Sequence, residues 1–406
     1  MELYYQYPMV TETTASVLSC TEENGVFLVT LSSSPLFPEG GGQLSDTGRI
    51  DSVPVSEVRT VGGKTIHYCS SPLAVGKTVT VTLDVDARLD HSAQHTGEHI
   101  LSGLAHKLFG AANVGFHMAK DYCTIDLDKV LTDEELKKLE LAANEAVRRN
   151  SPITTELVSG SEAASRPLRK LAEKLKDSKE QIRIVYVDGG NIDSCTCCGT
   201  HLHTSGEVGA ILITDAQKYK SGVRIWFACG ERAVLHAERL QSEVTALARR
   251  YSTSREELPT AIEKQIAELS ACKQEIKTKT ILLSELLSEK LISEAVRADT
   301  AEYIIKCFEG FTSSDLKAVT DRIIADNEGK RQLVVLLFSV TPSGTDYRMA
   351  ATSGVKLPMR ELCSAVNGIL AGKGGGSPAF AQGKSARTVT DEDIASLRGY
   401  LASALR

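Results

Sequence analysis

The stretch that decides the reading of this 406-residue chain is Asp90-His-Ser-Ala-Gln-His-Thr-Gly-Glu-His-Ile-Leu-Ser102. Its histidines, His91, His95 and His99, recur every fourth residue. On a helix that spacing puts them near one stripe, one turn apart. A helix is therefore expected over residues 86–109, with Asp90 or Ser92 as its cap. Far downstream lies a second group, Cys197-Cys-Gly-Thr-His201, which offers a thiolate and a further imidazole across a glycine-containing turn. His95, His99, Cys197 and His201 supply three nitrogens and one sulfur, a set suited to tetrahedral zinc. Cys195 and Cys198 flank Cys197, so the cluster offers three thiols for one position.

Composition narrows the classes. The formal net charge is −6, with 42% hydrophobic and 24% charged residues, ordinary for a globular chain of more than one domain. Global charge announces no nucleic-acid partner, so such a partner must be met by a local basic patch. The ten cysteines are too scattered for a disulfide scaffold and favour a reducing compartment. No apolar run reaches membrane-spanning length, and the N-terminus has no basic segment before an apolar core. The expected location is the cytoplasm.

Outward from the histidine stretch the chain divides by pattern. Residues 1–85 read as a small β-rich domain, with strands near 15–19, 25–31 and 78–85. Within it Pro38-Glu-Gly-Gly-Gly-Gln43 places three glycines where backbone must come close to something. Residues 86–230 read as an α/β domain around the metal group. Thr132 and Glu135 form a capping-box pattern for a helix to Arg149, and strands follow near 182–187, 208–214 and 223–229. Residues 231–299 read as an arm of two long helices meeting near Pro259, with Leu240, Val244, Leu247, Ile262, Ile266 and Leu269 as apolar stripes. Such an arm is a spacer or a surface for homodimerisation. Residues 300–406 return to α/β, with a buried strand near 332–340, a partner near 347–352 and a helix near 358–370. The whole is an α+β multidomain chain. Between 341 and 390 stand Arg348, Lys356, Arg360, Lys373, Lys384 and Arg387 against only Asp346 and Glu361. Lys373, Gly374, Gly375, Gly376 and Lys384 read as a flexible glycine loop suited to a phosphate backbone.

Four motifs in this order, PEGGGQLSDTG from Pro38, DHSAQHTGEHILS from Asp90, CTCCGTHLHTSGEVG from Cys195 and GKGGGSPAFAQG from Gly372, resemble the alanyl-tRNA synthetase editing module and its free-standing relatives of the long AlaX type. The last motif is similar to the DHHA1 domain. The resemblance implies a trans-editing hydrolase, independent of ATP, that deacylates tRNA specific for alanine when it carries serine or glycine. It implies zinc on His95, His99, Cys197 and His201, and a substrate pocket lined by Gly40, Gly41, Gly42 and Gln43. The backbone amides of Gly40, Gly41 and Gly42 are candidate donors to the oxyanion. A synthetase would need an aminoacylation domain ahead of these motifs, and the editing half begins almost at Met1.

Two departures from the family pattern stand out. The third spacer position between the paired histidines, often Gln, is Glu98. The position four residues before Pro38, commonly a Thr that helps read the substrate, is Ser34. Glu98 and His203 receive no role at this level. Two other classes compete. A zinc metalloprotease of H-x-x-E-H type would use Glu98 as base and a distant Glu as ligand. A non-catalytic RNA-binding protein would use zinc only to staple the fold.

Overall fold

Alternation of β-branched and polar residues builds the first part of the chain. In the computed structural model, which describes residues 2–6, 8–170 and 181–406, this part contains β1 (Glu12–Glu23), β2 (Val26–Leu31), β3 (Gly48–Ile50), β4 (Val53–Val61), β5 (Lys64–Cys69) and β6 (Thr78–Leu83). They close into a barrel in the order β1-β2-β5-β4-β3-β6. In β6 Val79, Val81 and Leu83 are buried while the intervening threonines are not, as period-2 side-chain alternation requires. Their inner faces join Val17, Val29, Ile50 and Val58 in one apolar cluster.

The polar histidine stretch then forms α1 (Val85–Phe109). Its cap is Asp84, whose side chain accepts from the Ala87 amide at 3.2 Å. Neither Asp90 nor Ser92 caps it. The Asp84 carboxylate is also held by Thr47 of the barrel, so the helix starts where the barrel ends. Gly110 closes it in the left-handed conformation, φ 63°. A second tie is the buried ion pair of Arg88 with Asp46, which also accepts from the Phe37 amide.

Around α1 are packed β7 (Asn113–Met118), β8 (Cys123–Leu127), α2 (Asp133–Arg149), β9 (Ile153–Val158), α3 (Gly160–Ala164), β10 (Ile182–Val187), β11 (Asp193–Thr196), β12 (Ile211–Tyr219) and β13 (Gly222–Cys229). They make two sheets, β12-β13-β8-β7 and β11-β10-β9. Thr132 and Glu135 do form the capping box of α2. Two glycines of α1 permit close approach to these sheets. A Cβ at Gly97 would stand 2.2 Å from the Cys229 sulfur, and one at Gly103 would stand 2.3 Å from the Ile192 carbonyl.

α4 (Glu231–Arg250) and α5 (Leu258–Ser293) follow, and Pro259 opens α5 at a first-turn position that needs no amide hydrogen. The contacts divide the chain into Met1–Leu247 and Ala248–Arg406. The second unit adds β14 (Val296–Arg297), β15 (Glu302–Glu309), α6 (Ser313–Asn327), β16 (Leu333–Thr341), β17 (Gly344–Ala351), α7 (Met359–Leu370), β18 (Lys373–Gly376), β19 (Phe380–Ser385) and α8 (Asp391–Ala404). Its sheet runs β14-β15-β16-β17-β19-β18, with β15 and β16 parallel. The apolar run of β16 lies at its centre, its odd positions packed with α6 and its even positions in the cluster of α7 and α8.

The glycine stretch of this unit is not a flexible loop. Lys373, Gly374, Gly375 and Gly376 form the edge strand β18 and pair with Lys384, Gly383, Gln382 and Ala381. A Cβ at Gly383 would stand 2.3 Å from the Tyr347 hydroxyl, so glycine is required by that close approach. The basic patch is also smaller than its sequence suggests. Arg348 is buried and bonds Asp321 and Gln382, and Arg387 makes two 2.9 Å bonds to Asp393. Lys356, Arg360, Lys373 and Lys384 remain exposed. No helix among the described residues is long and apolar enough to cross a membrane.

Candidate metal centre

α1 is buried along most of its length although it is rich in polar side chains. Buried polar groups must find partners, and tracing them defines the site. Ser92 meets Thr200 at 2.8 Å. Gln94 bonds both the amide and the carbonyl of Cys229. His91 is the exception: its Nδ1 has no hydrogen-bond partner among the described residues, and it stands apart from the other histidines of its stripe.

His95 and His99 come together with Cys197 and His201, their ligand atoms all within 4.8 Å of one another. Cys197 and His201 lie on the turn after β11, so the two halves are brought from distant segments onto one helix face. The Cys197 sulfur is 3.3 Å from His95 Nε2 and 3.4 Å from His201 Nε2. Tetrahedral zinc bonds of ordinary length would separate such atoms by about 3.5 Å. Cys195 and Cys198 are not in the group, so Cys197 is the thiol of the three that geometry selects.

Each imidazole is held from behind through Nδ1. His95 Nδ1 donates to Gln43 Oε1 at 2.7 Å, His99 Nδ1 to Asp193 Oδ2 at 2.7 Å, and His201 Nδ1 faces Thr96 Oγ1 at 3.3 Å. The acceptors Gln43 and Asp193 assign a proton to Nδ1 of His95 and of His99 and leave each Nε2 facing the group, the usual outer arrangement of a histidine metal site. Burial drives His201 down to about 3, which keeps it neutral. Burial alone would push the Cys197 thiol up, but the His95 and His201 rings beside it hold it well below its ordinary value. Burial likewise opposes protonation of His99, and the Glu98 carboxylate, with Asp193 and Cys197, outweighs it and raises the ring. The three histidines and one thiolate fit a soft divalent cation such as zinc. The group includes no carboxylate, unlike the Glu ligand that the protease reading requires.

The glycine motif abuts this centre. Gly40 and Gln43 exchange backbone hydrogen bonds at 3.2 and 3.1 Å, closing a tight turn over Gly41 (φ 63°) and Gly42 (φ 83°). Positive φ at both central residues makes glycine the natural choice. A Cβ at Gly42 would stand 2.7 Å from the Phe116 carbonyl, whereas Gly41 faces open space. The Gly40 amide is spent on Gln43, which leaves Gly41 and Gly42 as the amides without a hydrogen-bond partner among the described residues. Gln43 lies behind His95 rather than before the substrate: its Oε1 also takes the Thr200 amide and its Nε2 donates to the Thr200 hydroxyl. Gly199 is just as constrained, because a Cβ there would stand 2.1 Å from the His95 ring.

A cavity of about 500 Å³ opens on the centre, lined by Gly41, His95, Glu98, His99, Phe116 and Arg169 among others. Ser34 does not line it. The Ser34 hydroxyl donates to His67 Nε2 at 2.8 Å in a separate cavity at the barrel, while His67 Nδ1 donates to the Val29 carbonyl. Burial lowers His67 to about 4, so it is neutral and its Nε2 is free to accept. His203 lines a third cavity. Lys373, Gly374 and Lys384 border a cavity of the second unit, with Gly375 and Gly376 following on the same strand.

Several participants carry no signal in the sequence. Asp193 accepts from His99 and from Arg169 (2.7 and 2.9 Å). Arg183 donates to the carbonyls of Cys197 and Gly199 (3.0 and 2.9 Å), and Tyr5 stacks on its guanidinium at 4.2 Å while donating to the Cys198 carbonyl. The carbonyls of all three residues between Thr196 and Thr200 are thereby held.

Known proteins align with this sequence. Residues 182–225, which include Cys197 and His201, match the family described as the threonyl and alanyl tRNA synthetase second additional domain. The alanine–tRNA ligase of Pyrococcus abyssi is 29% identical over 393 residues, covering 94% of this chain and 41% of the ligase. The alanyl-tRNA editing protein Aarsd1 of Danio rerio is 28% identical over 383 residues, covering 93% of this chain and 90% of that protein. The C-Ala domain of Aquifex aeolicus alanyl-tRNA synthetase aligns with 27% of the chain and 96% of its own length at 18% identity and a TM-score of 0.24, too slight to carry an argument. This chain spans about two fifths of the length of the ligases it matches and nearly the whole length of the editing protein. By sequence, the chain is similar over more than nine tenths of its length to a free-standing alanyl-tRNA editing protein and to the corresponding part of alanine–tRNA ligases.

Proposed function

We propose that the chain hydrolyses the ester bond that joins a wrongly attached serine or glycine to tRNA specific for alanine. The observation that carries this reading is the shared cavity, where the metal group, the Gly41 turn and a cationic wall of Arg169, Lys170 and Arg183 meet. The Danio rerio relative is named for alanyl-tRNA editing and matches 93% of this chain. Alanine differs from glycine by one methyl and from serine by one hydroxyl. Apolar pockets separate such pairs by only about 1–3 kcal/mol, so a second hydrolytic site is useful.

An aminoacyl ester is already activated, and the protein need only place it beside an attacking water and support the developing oxyanion. The Gly41 and Gly42 amides are the donors on hand for that oxygen. Phe116 and the Tyr5 ring form apolar walls, and Lys170 and Arg183 suit the phosphates of a tRNA end, while Arg169 is held by Asp193. Zinc held by His95, His99, Cys197 and His201 would supply fixed positive charge beside the ester. With four protein donors its role is orienting rather than that of an open catalytic position. In the second unit, the exposed Lys373 and Lys384 stand directly opposite each other across β18 and β19. Like charges so placed repel, and a bound phosphate between them relieves this.

The test is incubation of the zinc-loaded protein with seryl-, glycyl- and alanyl-charged tRNA for alanine, and with casein. Release of serine or glycine without peptides is expected. Peptide release would favour the protease, and binding of tRNA without release of any amino acid would favour a non-catalytic RNA-binding protein.

A further inference from the structure

Glu98 is the one carboxylate among the described residues lining the metal cavity, facing the same space as the cations Arg169, Lys170 and Arg183. It is 4% exposed, and its two oxygens differ. Oε1 is saturated: Ser102 Oγ and Asn113 Nδ2 both donate to it at 2.6 Å, and Arg169 Nη2 lies 3.9 Å away. Oε2 receives no hydrogen bond from a described residue and has only His99 Nε2 nearby, at 3.7 Å. A carboxylate that lines a cavity, fixed through one oxygen and with the other left without a described donor, is prepared for a cationic donor. The terminus of an aminoacyl-tRNA carries both signs of charge. Its phosphates are anionic, and the α-amino group of its amino acid is an ammonium that titrates around pH 8. The wall divides in the same way.

We propose that Glu98 anchors the α-ammonium group of the aminoacyl ester through Oε2. This rests on the ester-hydrolysis reading and adds a recognition element to it. The role is binding and orientation: the ammonium fixes the amino-acid end, and the ester carbonyl is left to swing only within reach of the Gly41 turn. Glutamine at the same place keeps the shape and an acceptor for Ser102 and Asn113 but removes the charge. A chain with Glu here should therefore hold free-amine substrates more tightly than uncharged isosteres.

The probes are two stable adenosine analogues whose 3′ position carries an amide in place of the ester. One bears serine, with its ammonium; the other bears glyceric acid, with a hydroxyl in place of the ammonium. Binding to the zinc-loaded full chain is measured by calorimetry at pH 6.5. The wild type is expected to prefer the serine form by on the order of tenfold, the low end for a hydrogen bond to a charged group. Glu98→Gln is expected to lose that preference while keeping its zinc and its affinity for the glyceryl form. Equal affinity of the wild type for both analogues overturns the proposal with no variant needed, as does a preference that survives Glu98→Gln. If neither analogue binds the wild type, the ester-hydrolysis reading fails and the anchor fails with it.

Discussion

Single residues set the metal centre, and they do so from one shell behind the ligands. Gln43 is the clearest case. Its motif marks it as pocket lining, yet it is buried and holds His95 by Nδ1. Gln43→Ala frees the ring and is expected to weaken zinc affinity roughly 10- to 100-fold, as is typical of such outer partners. Competition with a chromogenic chelator measures this, and unchanged affinity would remove Gln43 from the site. Gly41 is the complementary case. It faces open cavity space at φ 63°, so a side chain there enters the cavity, at a backbone strain of about 1 kcal/mol or more. Gly41→Val is expected to slow release of serine at least tenfold with zinc content intact. Equal rates would mean that the substrate does not pass over this turn. The ligands themselves were legible as residues, because i, i+4 histidines on a helix and a CxxxH turn are geometric statements. Asp193 and Arg183 were not legible. An aspartate at the start of one strand and an arginine within another acquire a role only when distant segments meet.

At the scale of elements, regular patterns were readable and irregular ones were not. The period-2 alternation of β6 and the apolar run of β16 each appear as strands close to the expected bounds. The stretch around Lys373 looked like a loop because glycine has little strand propensity. It is nevertheless paired, since only glycine lets β18 and β19 approach Tyr347 so closely. The cap of α1 was misjudged for a related reason. Asp90 and Ser92 are polar, but they point at Arg232 and Thr200, and Asp84 was the residue at the true helix start. The stripes of the helical arm show a different feature. Leu240 and Leu247 of α4 and Ile266, Leu269, Ile276 and Leu286 of α5 are exposed. Apolar stripes of this length call for cover, and we expect a homodimer through the arm. Light scattering at micromolar concentration should give twice the 43.8 kDa chain mass, and a monomer would contradict the expectation.

For the whole molecule, labour is divided between the two units, Met1–Leu247 and Ala248–Arg406. The first carries the His95, His99, Cys197 and His201 group with its cavity, and the second carries the exposed lysines and the glycine edge strand. Removing residues 301–406 is expected to weaken tRNA binding and to flatten its dependence on salt, because phosphate contacts are lost. Zinc content should stay unchanged, and hydrolysis at saturating tRNA should fall less than hydrolysis at low tRNA. Equal binding by the truncated and full chains at every salt concentration would take the second unit out of substrate recognition.

The central claim is that the four-donor group and the hydrolytic cavity are one site. The most direct measurement pairs zinc content with single-turnover hydrolysis of seryl-tRNA specific for alanine, in the wild type and in Cys197→Ala. The account predicts one zinc per chain and rapid release of serine for the wild type, with both lost together in the variant. Release of serine at the wild-type rate by a zinc-free variant, or no release by the zinc-loaded wild type, would contradict it.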